Sequence, residues 1–127
     1  MSIASLILLT ATSVSASEWV FVYEDAEQLM EFDKSSVQLF EGDKFVRERV
    51  TFKKTQVQDD GVKVKYLTLG ALFSCRNKTE TIAVVKKFSE DRKLISSGEL
   101  KGMALKAIPG SPSLMILNQV CTKSELR

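Results

Sequence analysis

The sequence has no histidine. That removes hydrolytic triads built on an imidazole base and every metal site that needs an imidazole ligand. Cysteine occurs only at Cys75 and Cys121, far from the paired spacing of a zinc site. The six glycines form neither a phosphate-cradling loop nor a dinucleotide-binding pattern. Asp59 and Asp60 precede Gly61, but the other positions of a calcium loop are missing. A carboxylate pair such as Asp25 and Glu31 is the remaining hydrolytic option, and nothing selects that pair over other acids. The expectation is a non-enzymatic protein with no catalytic residue, metal or cofactor.

Excess charge is also lacking. The net charge is +2, so no nucleic-acid partner is expected. Its distribution is uneven. Residues 17–43 hold eight acids and one base, whereas residues 44–65 hold seven bases and three acids. An acidic start can therefore neutralise the basic segments once the chain folds.

No apolar stretch approaches the roughly 20 residues of a membrane-spanning helix. Residues 1–16 contain no charged side chain, with a short apolar run at Ile3–Leu9 and then small residues ending Val14-Ser15-Ala16. That is the composition of a signal peptide, with cleavage expected between Ala16 and Ser17. No cysteine stands near that point, so lipid attachment at the mature N terminus is not expected. The chain is then exported, to the periplasm or beyond, with residues 17–127 as one domain.

What the mature part does contain is a run of strand signals. Trp19–Tyr23 is aromatic and β-branched. Leu29–Phe32 and Val37–Phe40 read as short strands divided by a turn at Lys34-Ser35-Ser36. Lys44–Lys54 alternates, with Val46, Glu48, Val50 and Phe52 on one face and Phe45, Arg47, Arg49, Thr51 and Lys53 on the other. Gln58-Asp59-Asp60-Gly61 is a hairpin turn. Val62–Phe73, Thr79–Phe88, Lys93–Ser97 and Met103–Ile108 follow as extended segments. Ser111-Pro112 supplies an N-cap and a first helical residue, and the apolar spacing that follows predicts a helix over residues 112–123. The fold class expected is α+β: one antiparallel sheet of about six strands with a C-terminal helix.

In an oxidising compartment an even cysteine count favours pairing, so a Cys75–Cys121 disulfide is expected. Two buried free thiols or an intermolecular bridge are the alternatives. The sharpest binding feature is cationic. Arg47, Arg49 and Lys53 share a strand face, Lys63 and Lys65 follow across the hairpin, and together they are the candidate surface for an anionic partner. Solvation or pairing with the acidic Glu18–Asp33 segment is the plainer explanation of the same residues. The apolar Leu67–Phe73 segment offers a second route, dimerisation or docking of an envelope assembly protein.

Several of these residues carry a family likeness: Trp19, the segment Phe32-Asp33-Lys34-Ser35-Ser36-Val37, Cys75 after an apolar strand, and Ile108-Pro109-Gly110-Ser111 followed by a helix and Cys121. Together they resemble the surface-adhesin protein E family of Gram-negative bacteria, over nearly the whole mature chain. The resemblance implies a small antiparallel sheet with a C-terminal helix tethered by the disulfide. It also implies attachment to host matrix proteins such as vitronectin and laminin.

Overall fold

The computed structural model describes residues 16–127. The expected signal peptide lies outside them apart from Ala16. β-Branched and aromatic residues build six long strands: β1 (Trp19–Glu24), β2 (Gln28–Phe40), β3 (Asp43–Val57), β4 (Lys63–Ser74), β5 (Thr79–Phe88) and β6 (Leu94–Glu99). Each pairs antiparallel with its neighbour in sequence, so the sheet is a meander closed by short turns. A two-residue strand, β7 (Leu105–Lys106), pairs with the first part of β5, opposite Thr79 and Glu80, while β6 pairs with its second part. The connection between them passes close to β5. A Cβ at Gly102 would sit 2.6 Å from the Ile82 carbonyl oxygen, so only glycine fits there.

The expected turn at Lys34-Ser35-Ser36 is instead a bulge inside one continuous β2. Between Asp33, opposite Arg47, and Gln38, opposite Phe45, β2 advances five residues while β3 advances two. The turn-forming residues are accommodated locally. The Asp33 carboxylate accepts bonds from the Ser35 N–H (3.0 Å) and hydroxyl (2.6 Å), and the Ser36 hydroxyl donates to the Asp33 carbonyl (2.6 Å). The hairpin after β3 follows the expected chemistry, with Gly61 at φ +83°.

The helix, α1 (Pro112–Val120), starts as its sequence predicts, with the Ser111 hydroxyl accepting from the Leu114 N–H at 3.2 Å. It stops three residues earlier than the apolar spacing suggests. Thr122 and Glu125 exchange bonds, N–H to Oε1 at 2.7 Å and N–H to Oγ1 at 3.2 Å. This reciprocal pair caps a new turn, and Cys121 takes extended backbone between the two. Because α1 is the only helix among the described residues and has nine residues, the architecture is mostly sheet. The α+β expectation holds only in that rough sense.

The Cys75–Cys121 disulfide is formed, with its Cα atoms 5.8 Å apart. It joins the residue after β4 to the residue after α1. Phe32, Val46, Ala71 and Phe73 on the sheet enclose Ile116 and Leu117 of the helix, and these six form the centre of the core. The bond closes a sequence separation of 46 residues. In the chain-entropy treatment that is equivalent to about 4 kcal/mol. A Cys75→Ala/Cys121→Ala variant is expected to lose about 2–5 kcal/mol in urea unfolding relative to the parent chain.

One core position is a carboxylic acid. Glu48 shares the β3 face of Val46 and Val50, stands opposite Phe32 and Leu69, and is fully buried. Neither of its oxygens, nor Glu80 Oε2, has a donor from elsewhere. The hydrogen bond open to the pair is one carboxyl donating to the other, which needs a shared proton. Ala71, opposite Val46 and Ile82, separates the two acids and adds no bulk beyond Cβ. Burial first, and then Glu80, pushes the Glu48 pKa well above its ordinary value of 4.5.

This arrangement makes folding take up a proton between pH 4.5 and the raised value, so stability falls as pH rises through that range. Thermal unfolding should show the parent protein losing stability from pH 5 to pH 8, with a limiting slope of about 1.4 kcal/mol per pH unit. Glu48→Gln should flatten that slope. An equal slope in the variant would mean Glu48 is not the group responsible.

A candidate binding groove on the open face of the sheet

The residues that alternate with the core point to the face that α1 leaves uncovered. Ladder register places Asp33, Arg47 and Gly70 in one row, Glu31, Arg49 and Thr68 in the next, and Leu29, Thr51 and Tyr66 in a third. Lys86 stands opposite Thr68, and Phe88 opposite Tyr66. Trp19 enters from β1, opposite Asp33. The Phe45 ring lies over Gly70, where an added Cβ would come within 3.1 Å of it. Sheet faces of this kind are otherwise covered or solvated. Here the face carries aromatic rings and ion pairs side by side.

Arg47 and Arg49 both stack on Trp19, with guanidinium carbons 5.2 and 4.0 Å from the ring centroid. Each also holds a carboxylate from β2. Arg47 Nη2 donates to Asp33 at 2.7 Å, and Arg49 donates through Nε and Nη2 to Glu31 Oε1 at 3.2 and 2.9 Å. Burial alone would raise the Asp33 pKa. Bonds from Ser35, the Glu18 N–H and Arg47 outweigh it and hold Asp33 at about 2. Asp33 is thus an ionised, buried anchor that fixes Arg47 beside the tryptophan.

Beyond Arg49 the face sinks into a groove of about 470 Å³. Trp19, Tyr66 and Phe88 wall it, Glu31 and Arg49 stand on one side, and Thr51 and Thr68 line it from the central strands. Arg92 reaches in from the β5–β6 turn, 5.6 Å above the Tyr66 ring. Its backbone is left-handed, φ 65°, a conformation that favours glycine. Three other depressions are of similar size: those at Gln58–Asp60 and at Thr55, Lys63 and Ser89–Asp91 have no aromatic wall, and the one between β2 and α1 has Phe32 as its one aromatic residue. An apolar concavity with a few placed polar groups is the usual form of a ligand site.

The five cations named from the sequence are distributed as follows. Arg47 and Arg49 are brought together over Trp19. Lys53 pairs with Glu24 at 2.8 Å. Lys65 Nζ donates to the Lys53 carbonyl at 2.9 Å. Lys63 pairs with Val57 beside the hairpin turn and borders a different depression. Three of the five therefore hold carboxylates from the acidic segment. Asp25 and Glu31 are also engaged: Asp25 accepts from the Tyr23 hydroxyl and two N–H groups, and Glu31 accepts from Arg49.

No protein-family model matches this chain, and no curated protein matches it. The groove must therefore be read from its own chemistry. Among the described residues, Arg92 and Lys86 have no carboxylate within 4.0 Å. From the sequence neither stands out as a binding residue; Trp19 is marked there as a strand former and as part of the family likeness, and Tyr66 only as part of an extended segment. Strand alternation places Tyr66 and Thr68 on one face, but the register that sets them beside Arg49 is a long-range property. Arg92 falls in a turn, where periodicity carries no information.

Proposed function

We propose that this chain is an exported, non-enzymatic binding module that meets its partner with the helix-free face of its sheet. The observation that carries this reading is the aromatic and cationic groove on that face, opposite the core. Its ion pairs are internally balanced, and the unmatched cations Arg92 and Lys86 favour an anionic partner. The joined cysteines suit an oxidising compartment, in keeping with export to the periplasm or the cell exterior. No helix among the described residues is long and apolar enough to cross a membrane. The resemblance to the surface-adhesin protein E family favours host matrix proteins such as vitronectin and laminin as partners.

A second reading, an envelope assembly protein that dimerises, draws on a different edge from the one its sequence suggested. Leu67–Phe73 belongs to β4, an interior strand bonded on both sides. Of the two edge strands, β1 and β6, the second is exposed throughout and bears Leu94 and Ile95.

Surface plasmon resonance on immobilised vitronectin and laminin separates these readings. Binding through the open face should weaken by at least about tenfold between low and high salt, and again with Arg92→Glu/Lys86→Glu. Salt-independent binding, or binding untouched by the double reversal, would remove this face. A concentration-dependent dimer in sedimentation equilibrium would instead favour the β6 edge.

A further inference from the structure

We propose that the groove takes an acidic sugar unit, a hydroxyl-bearing ring with one carboxylate. This rests on the reading of the open face as the binding surface and adds the ligand's chemistry. Three features of the groove converge on it.

The first is shape. Trp19, Tyr66 and Phe88 present aromatic surface around a space of about 470 Å³. That volume falls within the roughly 300–1,000 Å³ of small-ligand sites. Aromatic walls of this kind suit a compact ring with an apolar face, and a long flexible chain would lose more freedom on entering.

The second is charge. Arg49 is already matched, since both of its bonds go to Glu31 Oε1. Arg92 is the cation lining the groove that has no carboxylate within 4.0 Å. One unmatched guanidinium calls for one negative charge, and a carboxylate presents two oxygens to its planar fork. A phosphate dianion would bring a second charge to a groove that also holds Glu31.

The third is hydrogen bonding. Glu31 Oε2 and the hydroxyls of Thr51 and Thr68 bond no other described protein group, although all three residues line the groove. An acceptor beside two hydroxyls matches the hydroxyls of a sugar ring. A simple aliphatic acid would leave those groups to water.

Trp19 is the sole tryptophan, so intrinsic fluorescence reports directly on this groove. The parent protein is titrated with sodium glucuronate, glucose and sodium phosphate. Glucuronate should change the emission saturably, with a Kd on the order of 1 mM. Glucose should bind at least about tenfold more weakly, and phosphate should not displace glucuronate.

Arg92→Gly removes the guanidinium and suits the left-handed backbone, so it should keep or raise the melting temperature while weakening glucuronate binding at least about tenfold. No saturable response, equal responses to glucose and glucuronate, displacement by phosphate, or unchanged binding by Arg92→Gly would each overturn the proposal. If glucuronate fails while salt-dependent matrix-protein binding persists and still responds to Arg92→Glu/Lys86→Glu, the ligand class is wrong and the face stands. If both fail, the face itself is discarded.

Discussion

A meander of six strands has two faces to cover, and this chain supplies one nine-residue helix among its described residues. The Cys75–Cys121 bond decides which face receives it. By fastening the end of α1 to the end of β4, it holds Ile116 and Leu117 over Phe32, Val46, Ala71 and Phe73. A helix this short is marginal on its own, so its order comes from that packing and from the tether. The opposite face is left to cover itself. The ion pairs, the Phe45–Gly70 contact and the tryptophan stacked on two arginines follow from that division.

The two faces handle ionisable groups in opposite ways. On the covered side, Glu48 is buried without a cationic partner, and burial together with the neighbouring Glu80 keeps its proton bound. On the open side, Asp33 is as deeply buried but receives Arg47, Ser35 and a backbone N–H, and it stays ionised. The two acids oppose one another in pH dependence. Stability linked to Asp33 is present above its ordinary pKa of 3.8 and is lost as pH falls through about 2. Stability linked to Glu48 declines as pH rises above 4.5. The chain therefore carries an ionised anchor, Asp33, on the open face and a buried acid that holds its proton, Glu48, on the covered side.

Much of the fold was legible because strand alternation and turn chemistry are local. Thr79–Phe88 has the bounds its composition suggested, and Ser111-Pro112 marked the helix start. The misses came where one signal was overridden by another. Lys34-Ser35-Ser36 has turn chemistry, but Asp33 and the pairing of β2 with β3 absorb it as a bulge. Apolar spacing through Cys121 suggested a longer helix, and the Thr122–Glu125 exchange ended it. The candidate site was legible only in part. Arg47 and Arg49 were visible as a cationic face, and the charge division along the chain anticipated acidic partners. That Glu31 and Asp33 would be those partners, and that Trp19, Tyr66 and Arg92 would complete a groove, depends on register and turn geometry.

The face opposite the tethered helix is the proposed binding surface. The most direct test is a heteronuclear NMR titration of the intact protein with glucuronate, following backbone amides, the Trp19 indole and the arginine side-chain N–H groups together. The account predicts shifts that cluster on Trp19, Glu31, Arg49, Thr68 and Arg92, with α1 and the Cys75–Cys121 region unchanged. Shifts centred on α1 or on β6, or scattered without a common face, would contradict it.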